Sequence, residues 1–408
     1  MADKKRRVCV VGVGNTASPG THHPWQTWKE MAADAAYEAF EDAHMSAREL
    51  DACVCAYHGE GVSEQGGYGA AMSDALGISP IPVFALSANC CGGTTAFINA
   101  YYLIASGQFD KVLVIGGDKD GDNLGYTEYI NISYDVEYDY TFGFRHRDGG
   151  SLISNYYRKK HGYEGFEEMA AMSHQTHWFA RRNPKASAYG TPQPSLESLN
   201  NASSLFSMMG EGQAACVLMD EETALKFTDN PIYVDGVAYS TDSHYCGHKV
   251  KVETVGPLMP EELKREDNDY FDIDIAGFVA ADKAYKMAGI SPEEVDVAQV
   301  YDLLLTCPFL VEALRLAPVG EALRYFKEGR FAIDGQCAVN TDGGNIARGH
   351  ASGADGLNQI VENVHQLRGE AGERQVKDAK CAATLNIGSV NAQLGCVIMT
   401  NKNFVHKA

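Results

Sequence analysis

Basic residues are scarce in this 408-residue chain: 34 Lys and Arg stand against 54 Asp and Glu, a formal net charge of −20 at pH 7. So acidic a chain repels phosphate backbones and anionic lipid headgroups, which argues against nucleic acid or a membrane surface as partner and suits a basic protein subunit instead. No apolar run is long enough to cross a bilayer, and the apolar segment after Met1-Ala2-Asp3-Lys4-Lys5-Arg6-Arg7 is too short for a secretory signal. The expectation is a soluble, cytoplasmic protein. A paired-cysteine framework is also missing, because the 11 cysteines are odd in number and irregularly placed, a pattern of reduced thiols. His244, Cys246 and His248 alternate as ligands on one strand face would, but no further pair with zinc spacing stands near them. No metal is expected in this chain.

What the chain does contain is a cysteine at the point where an apolar run turns into a helix. Ile81-Pro82-Val83-Phe84-Ala85-Leu86 reads as a short buried strand, and Thr94 to Gly107 carries apolar residues at helical spacing and stops at a glycine. Between them lies Asn89-Cys90-Cys91-Gly92-Gly93. There the Cys90 sulfur sits beside unpaired N–H groups and the positive end of a helix dipole, which stabilise a thiolate. One such cysteine decides little, since most intracellular cysteines are inert small hydrophobes. A distant motif shifts the balance: in Asn340-Thr341-Asp342-Gly343-Gly344-Asn345-Ile346-Ala347-Arg348-Gly349-His350-Ala351 a Gly-rich turn delivers His350 to the start of another helix, Ala354 to Leu367. A Cys and a His so placed can deprotonate a thiol and support an acyl-enzyme.

An internal repeat points to the fold. Ala35 to Asp51 lines up with Ala280 to Asp296, each copy an amphipathic helix, a capped turn and a strand start, at Ala52-Cys53-Val54-Cys55 and Val297-Ala298-Gln299-Val300. Further strands are expected at Val8–Val11, Val112–Ile115, Ala214–Met219, Cys381–Ile387 and Gly395–Met399. Strands alternating with helices imply a duplicated α/β protein with mostly parallel sheets covered on both faces. The expected division is an N-terminal half at 1–117 and 208–268, an insertion at 118–207 that walls the active site, and a C-terminal half at 269–408. Gly12-Val13-Gly14-Asn15-Thr16-Ala17 imitates a dinucleotide fingerprint, but Ser18-Pro19-Gly20 does not open a helix, so a turn is expected.

With these residues in place the chain resembles the thiolase superfamily over nearly its whole length. Cys90 followed by Gly93, the strand entry Glu211-Gly212-Gln213-Ala214-Ala215, the segment ending at His350 and the Asn386-Ile387-Gly388 turn all fall in family order. The branch it resembles is that of the sterol-carrier-protein-type and archaeal thiolases. The resemblance implies an α/β thiolase fold, five αβαβα layers from two duplicated halves plus a loop domain, and a homodimer. It also implies Claisen chemistry on 3-oxoacyl-CoA through a Cys acyl-enzyme, with CoA as co-substrate. Several members of this branch work with a small zinc-ribbon/OB-fold subunit, where any zinc would reside.

Carried over residue by residue, Cys90 matches the nucleophile and His350 the histidine that activates it. The backbone N–H groups of Cys90 and Gly388 match the donors to the thioester oxyanion. Tyr301 and Asp302 stand where the family has an Asn or His that holds a water or the substrate oxygen, and a phenol can still donate one hydrogen bond there. Asn386 and Leu303 stand where thiolases carry a second reactive cysteine that moves the α-proton. Cys91, Cys307 and Cys337 match neither place, so the resemblance assigns no acid/base at the α-carbon. These departures keep a retro-aldolase acting on a 3-hydroxyacyl-CoA open as the alternative, because related aldolases have lost thiolase cysteines and use Tyr. A non-catalytic scaffold is disfavoured by the Cys90 and His350 pair. Arg145-His146-Arg147 reads as a solvated charge cluster.

Overall fold

Runs such as Val8-Cys9-Val10-Val11 and Val112-Leu113-Val114-Ile115 are apolar at every position, so as strands they present two apolar faces and need cover on both. The computed structural model describes residues 6–122, 130–131, 133–206, 210–250, 260–266, 269–389 and 391–406. In the first part of the chain β1 (Val8–Asn15), α1 (Trp28–Asp42), β2 (Ala52–Tyr57), α2 (Tyr68–Leu76), β3 (Val83–Ser87), α3 (Gly92–Ala105) and β4 (Lys111–Asp118) follow in order. Two helices come next, α4 (His146–Lys160) and α5 (Glu167–Ala180), before β5 (Gly212–Asp220) and β6 (Ile232–Thr241). The remainder holds α6 (Ile275–Ala288), β7 (Val297–Val300), α7 (Thr306–Ala313), β8 (Ala338–Val339), α8 (Asp355–Arg368), β9 (Cys381–Gly388) and β10 (Gln393–Thr400).

The strands are ordered β3-β2-β4-β5-β1-β6-β10-β9-β7-β8. Read inward from its two ends, this order repeats: β8, β7, β9, β10 and β6 take the places of β3, β2, β4, β5 and β1. Within the sheet, among the described residues, the two halves are joined where Val8–Val10 pair with Ile232–Val234. Side chains alternate between layers as strand geometry requires. Val10, Val54 and Val114 join Phe97 of α3 and Leu357 of α8 in a central core, whereas Cys9, Cys55 and Ile115 face Phe40 of α1 and Met72 of α2. In the second half Leu385 and Ile398 face Phe278 of α6 and Leu310 of α7. The result is helices, strands, the α3/α8 pair, strands and helices again, five layers in all.

The repeat seen in sequence extends to its hydrogen bonds. Ser46 and Glu49 form a capping box in one copy and Ser291 and Glu294 in the other. Asp51 accepts from the backbone of Asp110 and Lys111, and Asp296 from Lys380 and Cys381, each carboxylate tying the start of one central strand to the next. On the strand order we place the boundary between the halves between β5 and β6 rather than at 268/269.

Several expectations change. The β2–β3, β2–β4, β7–β8 and β7–β9 pairs are parallel, but the others are antiparallel. The sheet is therefore mixed, because β5 and β10 enter beside strands running the opposite way. β3 is not buried: it is the sheet's edge, with Phe84 43% exposed. Gly12 and Gly14 form no turn but continue β1, where a Cβ would lie 2.2 Å from the Ala39 carbonyl and 2.4 Å from that of Ala35. Their bareness lets α1 lie directly on the strand. β6 and β8 were not foreseen, since Asp235 and Gly236 interrupt the apolar pattern of one and the other has two residues. No helix among the described residues is long and apolar enough to cross a membrane.

Candidate active site

Two helix starts meet at the centre of the molecule. A short turn, Asn89–Cys91, leads from β3 into α3, and its first residue is left-handed at φ 50°. His350 follows the turn Gly344–Arg348 and Gly349, whose φ of 113° and 1.7 Å approach of a would-be Cβ to the Pro19 carbonyl admit only glycine. At Gly93 a Cβ would sit 2.9 Å from the Gly353 carbonyl, so the leading turns of α3 and α8 touch backbone to backbone. This contact brings Cys90 Sγ to 3.7 Å from His350 Nε2, with both residues buried.

Behind the histidine lies a charged cluster. His350 Nδ1 is ion-paired with Asp355 Oδ2, and both side chains are fully buried. Asp355 Oδ1 faces Arg348 Nη2 at 3.3 Å, while the other guanidinium nitrogen pairs with Asp342 and Nη2 also donates to Asn345 Oδ1 at 2.6 Å. Burial presses the His350 imidazole toward neutrality, yet the Asp355 charge and then Cys90 outweigh it and raise its pKa well above the usual histidine value. Around it, burial holds Asp118 up at about 6, although the His58 and Gly353 amides donate to it. Burial likewise drops His58 to about 4.

The other residues singled out from sequence are distributed around this pair. The Tyr301 ring meets the His350 ring edge-on, 5.7 Å between centroids at 90°. Its neighbour Asp302 turns away, accepting from the Asn345 amide at 2.7 Å and Asn340 Nδ2 at 3.1 Å; burial and then Asp342 push it up to about 7. Leu303 is buried, and after it Leu304 and Leu305 are both left-handed. Gly388, the last residue of β9, runs so close to the turn that carries Cys90 that a Cβ would lie 2.6 Å from the Ala88 carbonyl and 3.0 Å from Cys91 Cβ. Asn386 is fully buried and gives its side-chain amide to Gln359 at 3.0 Å; its carbonyl faces Cys91 Sγ at 3.6 Å. The spare thiols are set apart, Cys91 held up at about 12 by burial and Cys307 raised well above an ordinary thiol by burial and Asp302.

The segment between β4 and β5 walls the site. Tyr134, His146 and Gly150 line, with Tyr301, Leu304 and Ile387, a small recess. Asn183 Nδ2 donates to the Asp342 carbonyl and Ser187 N to that of Arg348, so this segment also braces the turn that carries His350. Residues 123–129 and 132, part of the aromatic and charged stretch expected here, lie outside the described residues, as does the side chain of Arg147; Arg145 is exposed.

Cys246 and His248 fall in a short helical turn, not on a strand. His244 bonds the Ser133 carbonyl and His248 the Ser243 hydroxyl, so the three do not converge. Among the described residues His22, Asp122 and Glu211 come close enough to share an ion, but the Lys119 ammonium already sits between the two carboxylates, 2.9 Å from Asp122 and 3.1 Å from Glu211.

Asp355, Arg348 and His58 were not foreseen as part of the site. An Asp in the first turn of a helix usually answers the helix dipole, and only its position five residues after His350 could have marked it.

Comparison with known proteins identifies the family. Residues 268–401 match the model of the thiolase C-terminal domain-like family. The chain is 30% identical to acetyl-CoA acetyltransferase of Methanothermobacter thermautotrophicus over 94% of this chain and 96% of that one. It is 29% identical to human sterol carrier protein 2 over 94% of this chain and 70% of that protein. Its fold superposes on the Ltp2-ChsH2(DUF35) aldolase with a TM-score of 0.77 at 18% identity, covering 98% and 99% of the two chains. On human mitochondrial 3-ketoacyl-CoA thiolase in complex with CoA the TM-score is 0.68 at 17% identity, over 97% and 98%. The chain belongs to the thiolase superfamily.

Proposed function

We propose that this protein is a thiolase-type acyltransferase that cleaves a 3-oxoacyl-CoA with free CoA through an acyl group carried on Cys90. The observation that carries the reading is the 3.7 Å approach of His350 Nε2 to Cys90 Sγ inside a buried site. His350 takes the thiol proton, the sulfur attacks the 3-keto carbon, and the oxyanion is held by the backbone N–H groups of Cys90 and Gly388. The carbon–carbon bond then breaks, the leaving CoA-ester enolate is protonated, and free CoA removes the acyl group. The acetyl-CoA acetyltransferase relative supports this class. Tyr301 stands beside His350, where its phenol can hold a substrate oxygen or a water that delivers the enolate's proton. Asn386 acts through its carbonyl on the Cys91 side of the turn.

For the substrate we propose benzoylsuccinyl-CoA, cleaved to benzoyl-CoA and succinyl-CoA; the aromatic lining of the recess by Tyr134 and Tyr301 supports an aryl ketone. We further propose a homodimer completed by a small basic zinc-ribbon/OB-fold subunit. The exposed edge of β3 supports the first. The −20 charge, unfavourable for anionic CoA, and the two-component name of the Ltp2-ChsH2 neighbour support the second. A retro-aldolase is the second reading, favoured by Tyr301 at the site and by that neighbour being an aldolase. The test is an assay of 3-oxoacyl-CoA cleavage with and without free CoA. Two acyl-CoA products that appear only with CoA are expected; cleavage of a 3-hydroxyacyl-CoA without CoA would establish the aldolase.

A further inference from the structure

The His350 ring carries a carboxylate on the side away from the sulfur, and that carboxylate has its own counter-ion. We propose that Asp355 and Arg348 are positioning residues for the nucleophile: Asp355, paired with Arg348, orients His350 through Nδ1 and keeps the Cys90 proton on Nε2.

The geometry carries this in three steps. Asp355 Oδ2 is ion-paired with Nδ1 while Nε2 faces Cys90 Sγ at 3.7 Å, so the carboxylate and the sulfur lie at the two nitrogens of one ring, and a proton on Nδ1 leaves Nε2 to the thiol. The edge-on Tyr301 ring closes one side of the imidazole. Both charges are fully buried, so little water screens them and the attraction between carboxylate and imidazolium is strong. Arg348, 1% exposed in its side chain, lies 3.3 Å from Asp355 Oδ1, so the carboxylate that faces His350 is itself paired with a buried cation. The step moves one proton: the Cys90 S–H bond breaks, the His350 Nε2–H bond forms, and the electron pair stays on sulfur.

Other charges face the ring from each packed element. Asp118 at the end of β4 lies on the same side of the balance as Asp355, while His58 after β2 opposes a charged His350 but is itself held neutral by burial. Asp342 is committed to Arg348. Asp302 bonds the Asn345 amide and Asn340, not the histidine.

This inference rests on Cys90 being the nucleophile of the proposed acyl transfer, and its test uses no CoA ester. Wild-type protein and Asp355→Asn are treated with iodoacetamide across a range of pH, and the rate at Cys90 is followed by peptide mass mapping. An ordinary thiol loses about tenfold in rate per pH unit on the acid side. In the wild type the Cys90 rate should change by less than about tenfold between pH about 9 and about 6, whereas Asp355→Asn should match it at the alkaline end and fall about tenfold or more below it at the acid end. Identical profiles would overturn the proposal. So would a wild-type profile that falls like an ordinary thiol, a result that decides the matter even if the variant does not fold. A chain that meets the expectation yet forms no acyl adduct keeps this inference and loses the acyltransferase reading.

Discussion

Cys90 Sγ and His350 Nε2 lie 3.7 Å apart although 260 residues separate them in the chain. The contact exists because α3 and α8, each the central helix of one half, start at the same point and are bare enough there, at Gly93 and Gly353, to touch. Duplication thus does more than enlarge the core: it brings a cysteine of one half against a histidine of the other.

Limiting iodoacetamide should modify Cys90 ahead of the other ten cysteines. All 11 are buried, but burial raises the thiols of Cys9, Cys55 and Cys91 to about 12, whereas Cys90 alone faces His350. Mass mapping after a brief exposure checks this, and uniform labelling would remove the basis for choosing Cys90. Cys90→Ser should abolish acyl transfer.

The residues around the pair should differ in weight. His350→Ala should leave almost no activity. Tyr301→Phe removes one hydrogen-bond donor and keeps the nucleophile, so kcat/KM should fall by about three- to tenfold. Gly388→Ala adds a Cβ 2.6 Å from the Ala88 carbonyl; the turn must shift, and loss of one oxyanion donor costs about 3 kcal/mol in the transition state, on the order of a hundredfold in rate. A Tyr301→Phe variant as inactive as His350→Ala would move the chemistry toward the aldolase.

Stability should depend on pH through Glu312, which is buried and accepts from Tyr157, Gly320 and Ala322 on one oxygen. Burial pushes it up to about 8, those donors only partly opposing. Its folded value is above its unfolded one, so the folded state binds the proton more tightly; the stabilisation is full below about 4.5 and is lost as pH rises through about 8. Glu312→Gln mimics the protonated acid and should flatten that part of the urea-midpoint profile between pH about 5 and about 9. An unchanged profile would show that another group sets it.

Mixed with a candidate small basic zinc-binding subunit at physiological salt, the chain should co-elute with it as a larger complex and gain activity. Full activity from the large chain alone would rule out that requirement.

Much of this was legible in the sequence where local chemistry is strong. Gly-flanked helix starts disclosed Cys90 and His350, and the aligned Ser46/Glu49 and Ser291/Glu294 turns disclosed the duplication. What stayed hidden depends on tertiary placement. An apolar run such as Val83–Leu86 reads alike whether central or at an edge, and only the sheet order exposes Phe84. Gly12 and Gly14 imitate a turn because close helix packing and a tight bend both need a missing Cβ. Asp355 reads as a helix-dipole partner until the fold sets it behind His350.

The central claim is a covalent acyl group on Cys90, and intact-mass spectrometry of the protein mixed with a 3-oxoacyl-CoA in the absence of free CoA tests it most directly. The account predicts one added acyl group, mapped to the Cys90 peptide, absent from Cys90→Ser and discharged on adding CoA. A 3-oxoacyl-CoA turned over with no adduct at Cys90, or an adduct unaffected by Cys90→Ser, would contradict it.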